Sequence, residues 1–111
     1  MNEKHNKKTD INLKKLEDAL KNIKARFQSN EIKHMKEIAT PSFYVNGLYK
    51  AMSMGYNTFI TRFEHPEELT LKDILKLADI SNTDADLIFK IAIENAKKEH
   101  EKYDISHLTE N

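Results

Sequence analysis

The chain has 111 residues with 18 basic and 18 acidic side chains, and its net charge of zero argues against a strong non-specific binder of nucleic acid. It has no cysteine, which excludes disulfides and thiol chemistry. No apolar run approaches the ~20 residues of a membrane span, and the polar N-terminal residues lack the apolar core of a signal peptide. We therefore expect a cytoplasmic protein with no membrane partner.

The charges are unevenly distributed along the chain. Residues 1–38 carry a net +4, residues 39–72 are neutral, and residues 73–111 carry a net −4. The basic part can face phosphate, or these charges can simply cover solvated helix faces. With only two glycines and two prolines, the composition favours helices. We predict an all-α helical bundle over residues 10–103, with a disordered polar arm at 1–9 and a frayed tail at 104–111.

The first predicted helix covers residues 11–28, with Asp10 as its N-cap. Its apolar residues are spaced alternately three and four apart and form a narrow stripe. They are Leu13, Leu16, Leu20, Ile23 and Phe27. Such a stripe packs either on its own domain or on a second chain. The first alternative is favoured, because two heptads do not hold a dimer unaided.

Two shorter helices are predicted before the centre of the chain. The first covers residues 31–39 and turns Ile32, Met35 and Ile38 inward. The second covers residues 41–52, since a threonine followed by proline is a strong helix start. Gly47 lies inside this helix, where we expect it to permit a close helix crossing.

Residues 53–77 carry the most information in the chain. A turn at 53–55 leads into a helix over 56–64, which ends before Pro66 because the residue preceding proline avoids the helical region. Phe59 and Phe63 are four residues apart and therefore fall on one helical face, where we predict that they are buried. The core partners predicted for them are Leu48, Ile74 and Leu75.

The last two predicted helices follow this segment. Thr70 and Asp73 resemble a capping box that starts a helix to residue 79. The residues predicted to be buried in this helix are Leu71, Ile74, Leu75 and Ala78. A final helix runs to residue 103 with Asp84 and Asp86 in its first turn, where the helix dipole favours acids.

The central motif has recognisable elements: Thr58-Phe59, Arg62-Phe63, Pro66-Glu67-Glu68-Leu69-Thr70 and Leu77-Ala78. In this arrangement the segment resembles the helix-turn-helix of lambda-repressor-like regulators (Cro/CI and Xre-type) from bacteria and prophages. The resemblance spans the core at residues 31–80, which the long N- and C-terminal helices extend. Two positions depart from the family pattern. Tyr49 follows Leu48 where a small residue is usual, and Ser53 stands where the turn glycine is usual.

The resemblance implies a small transcriptional regulator that binds double-stranded DNA sequence-specifically, with a homodimer on a two-fold site as the expected arrangement. Asn57 matches the bidentate contact to adenine, while threonines suit thymine methyls or base edges. The side chains assigned to bases are Asn57, Thr58 and Thr61, and those assigned to phosphates are Lys50, Tyr56 and Arg62. Arg62 contacts phosphate or guanine, or else it pairs with Glu64 or Glu67.

No catalytic or metal-binding site is predicted. The histidines lack metal-ligand spacing, no paired carboxylates flank an apolar pocket, and no glycine-rich phosphate loop occurs, so we expect neither an enzyme nor a cofactor nor a small-molecule substrate. The alternative function is a helical protein-interaction module, or an accessory factor of a mobile element, that does not bind DNA. Glu64, Glu67 and Glu68 favour this alternative. A positive rim around Asn57 would favour DNA, and a neutral or negative rim would favour a protein partner.

Overall fold

The computed structural model describes residues 11–109 and places their regular structure in helices alone, which confirms the predicted all-α class. The α-helices are α1 (Leu13–Gln28), α2 (Val45–Ala51), α3 (Tyr56–Glu64), α4 (Leu71–Ser81), α5 (Ala85–Glu99) and α6 (Ser106–Thr109). Three 3₁₀ helices lie between them, at Met35–Ile38, Pro41–Phe43 and Pro66–Glu68. None of the helices in residues 11–109 is long and apolar enough to cross a membrane. The predicted arm at 1–9 and the predicted cap Asp10 lie outside the described residues.

The helices enclose one hydrophobic core. α1 packs against the 3₁₀ helix Pro41–Phe43 and against α4 and α5. α3 packs against α2 and against the 3₁₀ helices Met35–Ile38 and Pro66–Glu68. The largest fully buried side chains come from α1 to α5 and from the segments that join α1, α2 and α3. They are Phe59, Phe63, Ile23, Ile32, Met35, Ile38, Leu48, Met52, Leu77 and Ile88.

α1 begins at Leu13 rather than at residue 11, because the Asn12 side chain caps it by accepting a hydrogen bond from the Lys15 N–H. The predicted stripe is only partly buried. Ile23 and Phe27 are in the core, whereas Leu13 is 70% exposed. The buried part is covered by the chain's own helices, as the favoured alternative expected.

The helix predicted over residues 31–39 is replaced by an irregular segment with one short 3₁₀ helix. Here a buried side chain from α5 satisfies the backbone: the Asn95 amide oxygen accepts from the Met35 N–H, and its amide nitrogen donates to the Lys33 carbonyl. His34 caps the 3₁₀ helix through Nδ1 and contacts Glu99 through Nε2 at 3.2 Å. The predicted inward residues Ile32, Met35 and Ile38 are nevertheless buried.

The single helix predicted over residues 41–52 is interrupted at Tyr44, which adopts a left-handed backbone with φ 54° and ψ 56°. The Tyr44 hydroxyl accepts a hydrogen bond from the Asn12 N–H at 2.8 Å. Its ring lies directly over Gly47, where an added Cβ would be 2.2 Å from the Tyr44 Cε2 atom. Gly47 therefore makes room for this ring, and the predicted close helix crossing is not the reason for the glycine.

The buried face of α4 differs from the prediction. Thr70 and Asp73 form the predicted capping box, and Ile74 and Ala78 are buried as expected. However, Leu71 and Leu75 are 68% and 55% exposed, respectively, so their predicted burial was wrong. Asp73, Leu77 and Ser81 are buried instead. The face is rotated because Asp73 turns inward to meet Arg62.

α5 begins after Asp84, which is its N-cap rather than a first-turn residue, and it ends at Glu99 instead of residue 103. Its charged residues after Asn95 are exposed. Residues 101–109 are all exposed. Two hydrogen bonds from Ser106 to the Asp104 carboxylate lower the pKa of Asp104 and hold the start of α6.

Candidate nucleic-acid interface

The candidate site is built on α2, a short turn and α3. After α2 the Ser53 N–H donates to the Lys50 carbonyl, and the Met54 N–H donates to the Tyr49 carbonyl. This is the Schellman pattern, which requires a left-handed residue between the helix end and the following chain. Ser53 is that residue, with φ 57°. The serine thus occupies the conformation that glycine favours, and the turn keeps its shape without the usual glycine.

The inward face of α3 is aromatic. Phe59 and Phe63 are buried in the core, and their rings stack with centroids 4.3 Å apart and planes inclined by 26°. Leu48 and Ile74 belong to the same core, as predicted, whereas Leu75 does not. Because α3 is anchored through two large rings, its rotation about its own axis is fixed. The residues on its other side therefore have a defined direction.

The outward face of α3 is polar and accessible. Asn57, Thr58 and Thr61 are exposed, and together with Arg62 and Glu68 they line one shallow surface groove. The structure therefore brings the three predicted base-contacting residues together on a single face. Arg62 and Glu68 carry opposite charges, so the rim of this groove is neutral. A neutral rim around Asn57 favours a protein partner over DNA.

Arg62 has a partner that the sequence did not indicate. Its Nη1 atom donates to both carboxylate oxygens of Asp73, at 2.9 and 3.3 Å, rather than to Glu64 or Glu67. The Asp73 Oδ2 atom also accepts from the Thr70 N–H at 3.0 Å, which belongs to the capping box. The Asp73 side chain is 8% exposed and that of Arg62 is 34% exposed. Arg62 therefore ties α3 to the first turn of α4 while part of its side chain remains at the groove.

Tyr49 contacts both of the other residues that were predicted to bind phosphates, Lys50 and Tyr56. Its ring meets the Tyr56 ring edge-on, with centroids 5.4 Å apart, and the Lys50 ammonium lies 5.8 Å from its centroid. Tyr56 is exposed and Lys50 is half-buried. The tyrosine that departs from the family pattern thus fills the contact between α2 and α3. It also places Lys50 and Tyr56 on the same side of the turn.

Lys76 is a contributor that sequence reasoning missed. Its Nζ atom donates to the Met52 carbonyl at 2.9 Å, so α4 is fastened to the end of α2. With Lys50, it gives the turn before α3 two basic side chains, while the far end of α3 is followed by acidic residues. Lys76 could have been identified from its position three residues after Asp73, which places it on the side of α4 that faces α2 and α3.

No family model matches this chain, and neither does any curated protein or solved structure. Within residues 11–109, no group of three histidine, aspartate or glutamate side chains is arranged to hold a metal ion. The function of the site is therefore inferred from its own geometry.

Proposed function

We propose that the protein binds double-stranded DNA sequence-specifically through α3, as a small transcriptional regulator of bacterial or prophage type. The observation that carries this proposal is the two-sided character of α3. Two stacked phenylalanines fix its inner side, and Asn57, Thr58 and Thr61 are exposed together on its outer side. A helix that enters the major groove needs a rigid backing and short polar side chains at the base edges.

The chemistry of these three side chains fits base recognition. An asparagine amide can donate to N7 and accept from N6 of adenine at once, and threonine offers both a hydroxyl for a base edge and a methyl group for thymine. Their side chains form no hydrogen bond within residues 11–109 that would have to be broken on binding. We expect Asn57 to discriminate most strongly among bases.

The phosphate contacts are expected on either side of this face. Lys50 and Tyr56 lie together beside the turn that precedes α3, where an ammonium and a phenol can meet the sugar-phosphate backbone. Arg62 holds α3 through Asp73, and we expect its exposed portion to contact phosphate. These contacts position the helix and carry no sequence information themselves.

A selection from random duplexes, followed by two substitutions, tests the proposal. Asn57→Ala should reduce affinity for the selected sequence by ~1–3 kcal/mol and relax specificity at one base pair. Lys50→Ala should weaken binding to all sequences alike and reduce the slope of log K against log salt by about one. Lys21→Ala, an exposed lysine on α1, is the matched control and should change neither quantity.

Two outcomes would contradict the proposal. The first is no duplex binding by the wild-type chain at ~50 mM salt, where the phosphate contribution is strong. The second is an equal loss for specific and non-specific duplexes in Asn57→Ala, since that would reflect general damage. Circular dichroism of each variant separates damage to the fold from a lost contact.

The second candidate function is a protein-interaction module, or a mobile-element accessory factor, that does not bind DNA. The neutral rim formed by Arg62 and Glu68 favours this candidate. Glu68→Gln distinguishes the two, because removing an anionic side chain beside a phosphate backbone should strengthen duplex binding and steepen its salt dependence. Duplex binding that is absent in both the wild type and Glu68→Gln would favour the protein partner.

A further inference from the structure

Four of the large apolar side chains that are exposed on the helical body lie along α4 and α5. We call this surface the α4–α5 face and define it by Leu71, Leu75, Phe89 and Ile93, all of which are exposed. Two clefts run along it and share the lining residues Leu71, Ile74 and Phe89, so the apolar surface is continuous. Continuous apolar patches on a protein surface commonly mark a contact with a partner.

The charges on α5 indicate which partner fits. Asp86, Lys90, Glu94 and Lys97 are exposed along the same helix as Phe89 and Ile93. None of these four charged groups forms an ion pair with another residue in the range 11–109. In an antiparallel pair of α5 helices centred between Phe89 and Ile93, Asp86 of each copy meets Lys97 of the other. Lys90 likewise meets Glu94. The charge pattern of α5 is therefore complementary to that of a second α5 helix that runs antiparallel to it.

We propose that the α4–α5 face is the contact surface of a two-fold homodimer, in which α5 packs antiparallel against α5 of a second copy. Such a contact is isologous, so each pairing occurs twice and the assembly closes as a dimer. The consequence for DNA rests on the proposed function: a two-fold protein presents its two α3 helices to a two-fold operator. The contact itself does not depend on DNA binding.

Sedimentation equilibrium of the full chain without DNA measures this contact. Ile93→Glu and Leu75→Glu, which place an acid at the α4–α5 face on two different helices, should each raise the dimer dissociation constant about tenfold or more. Leu13→Glu is the control, because Leu13 is an exposed leucine on a different helix, α1. It should leave the dissociation constant unchanged. Circular dichroism and denaturant melts establish that each variant is folded.

A charge exchange tests the antiparallel register. Asp86→Lys and Lys97→Glu should each weaken the dimer about tenfold, because each creates two like-charge contacts. The double variant should recover the wild-type dissociation constant to within about threefold, since the pairs are restored in reverse. Failure of this recovery, in a variant that melts as the wild type does, would overturn the proposed register.

The remaining outcomes are also decisive. A chain that is monomeric at all concentrations, or a dimer that is indifferent to both Ile93→Glu and Leu75→Glu, overturns the proposal. The proposal is also overturned if Leu108→Glu abolishes the dimer while Asp86→Lys and Lys97→Glu retain it. The contact would then be made by the exposed C-terminal segment. A monomer that still binds a single half-site would leave the DNA-binding function intact, whereas a dimer that binds no duplex would refute only that function.

Discussion

Gly47→Ala should destabilise the protein, although alanine is intrinsically the better helix former. In an ordinary helix interior this change would stabilise by ~1 kcal/mol. Here the new Cβ would lie 2.2 Å from Cε2 and 2.7 Å from Cδ2 of the Tyr44 ring. Real Cβ atoms do not approach so closely, so the ring has to leave its place.

The cost follows from what the ring does there. Its hydroxyl accepts the Asn12 N–H at the start of α1, a hydrogen bond that contributes ~1 kcal/mol. The Lys15 ammonium lies 5.7 Å from its centroid, a cation–π contact that contributes ~0.5 kcal/mol at the surface. Loss of the ring's packing on the backbone adds ~1 kcal/mol. Together these losses outweigh the gain in propensity, and we expect Gly47→Ala to lower the free energy of unfolding by ~1–2 kcal/mol.

Urea denaturation measures the free energy of unfolding, and we expect the slope m of its dependence on urea concentration to be unchanged. Two further variants serve as controls. Gly55→Ala should change the free energy of unfolding by less than ~0.5 kcal/mol, because a Cβ there has no neighbour within 4 Å and its φ is −74°. In a Tyr44→Ala background the sign should reverse, so that Gly47→Ala stabilises by ~1 kcal/mol. A stabilising effect in the wild-type background would refute the placement of the Tyr44 ring over Gly47.

Two further expectations concern the α2–α3 motif. Phe59→Ala should lower the free energy of unfolding by ~3–5 kcal/mol in denaturant melts, because it removes a fully buried ring that stacks on Phe63; a loss under ~1 kcal/mol would mean that Phe59 is not a core residue. Ser53→Gly should raise the free energy of unfolding by ~0.5–1 kcal/mol, since a left-handed backbone strains serine but not glycine. A loss of stability in Ser53→Gly would argue against the Schellman turn.

The parts of the fold that follow from local rules were predictable from the sequence. α3 has the predicted bounds of residues 56–64, because Pro66 ends it and the spacing of Phe59 and Phe63 sets its buried face. The capping box of Thr70 and Asp73 was also read correctly. The exposure of Asn57, Thr58 and Thr61 follows directly from the burial of the two rings, since the helix has only one opposite side.

The errors arose where a distant residue overrides a local preference. Residues 31–39 have the pattern of a helix, but Asn95 supplies the backbone hydrogen bonds that a helix would otherwise make. In α4 the apolar spacing placed Leu75 inside, whereas the ion pair with Arg62 turns Asp73 inward and leaves Leu75 exposed. A single sequence does not reveal either pairing, because the partners are 60 and 11 residues apart.

The role of Asn95 has a consequence for the order in which this chain folds. One side-chain amide holds the backbone at Lys33 and Met35, across separations of 62 and 60 residues. Without α5 in place, these peptide groups have no partner inside the core, and Ile32 and Met35 cannot be buried at low cost. We therefore expect a nascent chain to stay unfolded in this region until α5 has left the ribosome. The helices should then fold together after α5 has been synthesised, rather than one after another during synthesis.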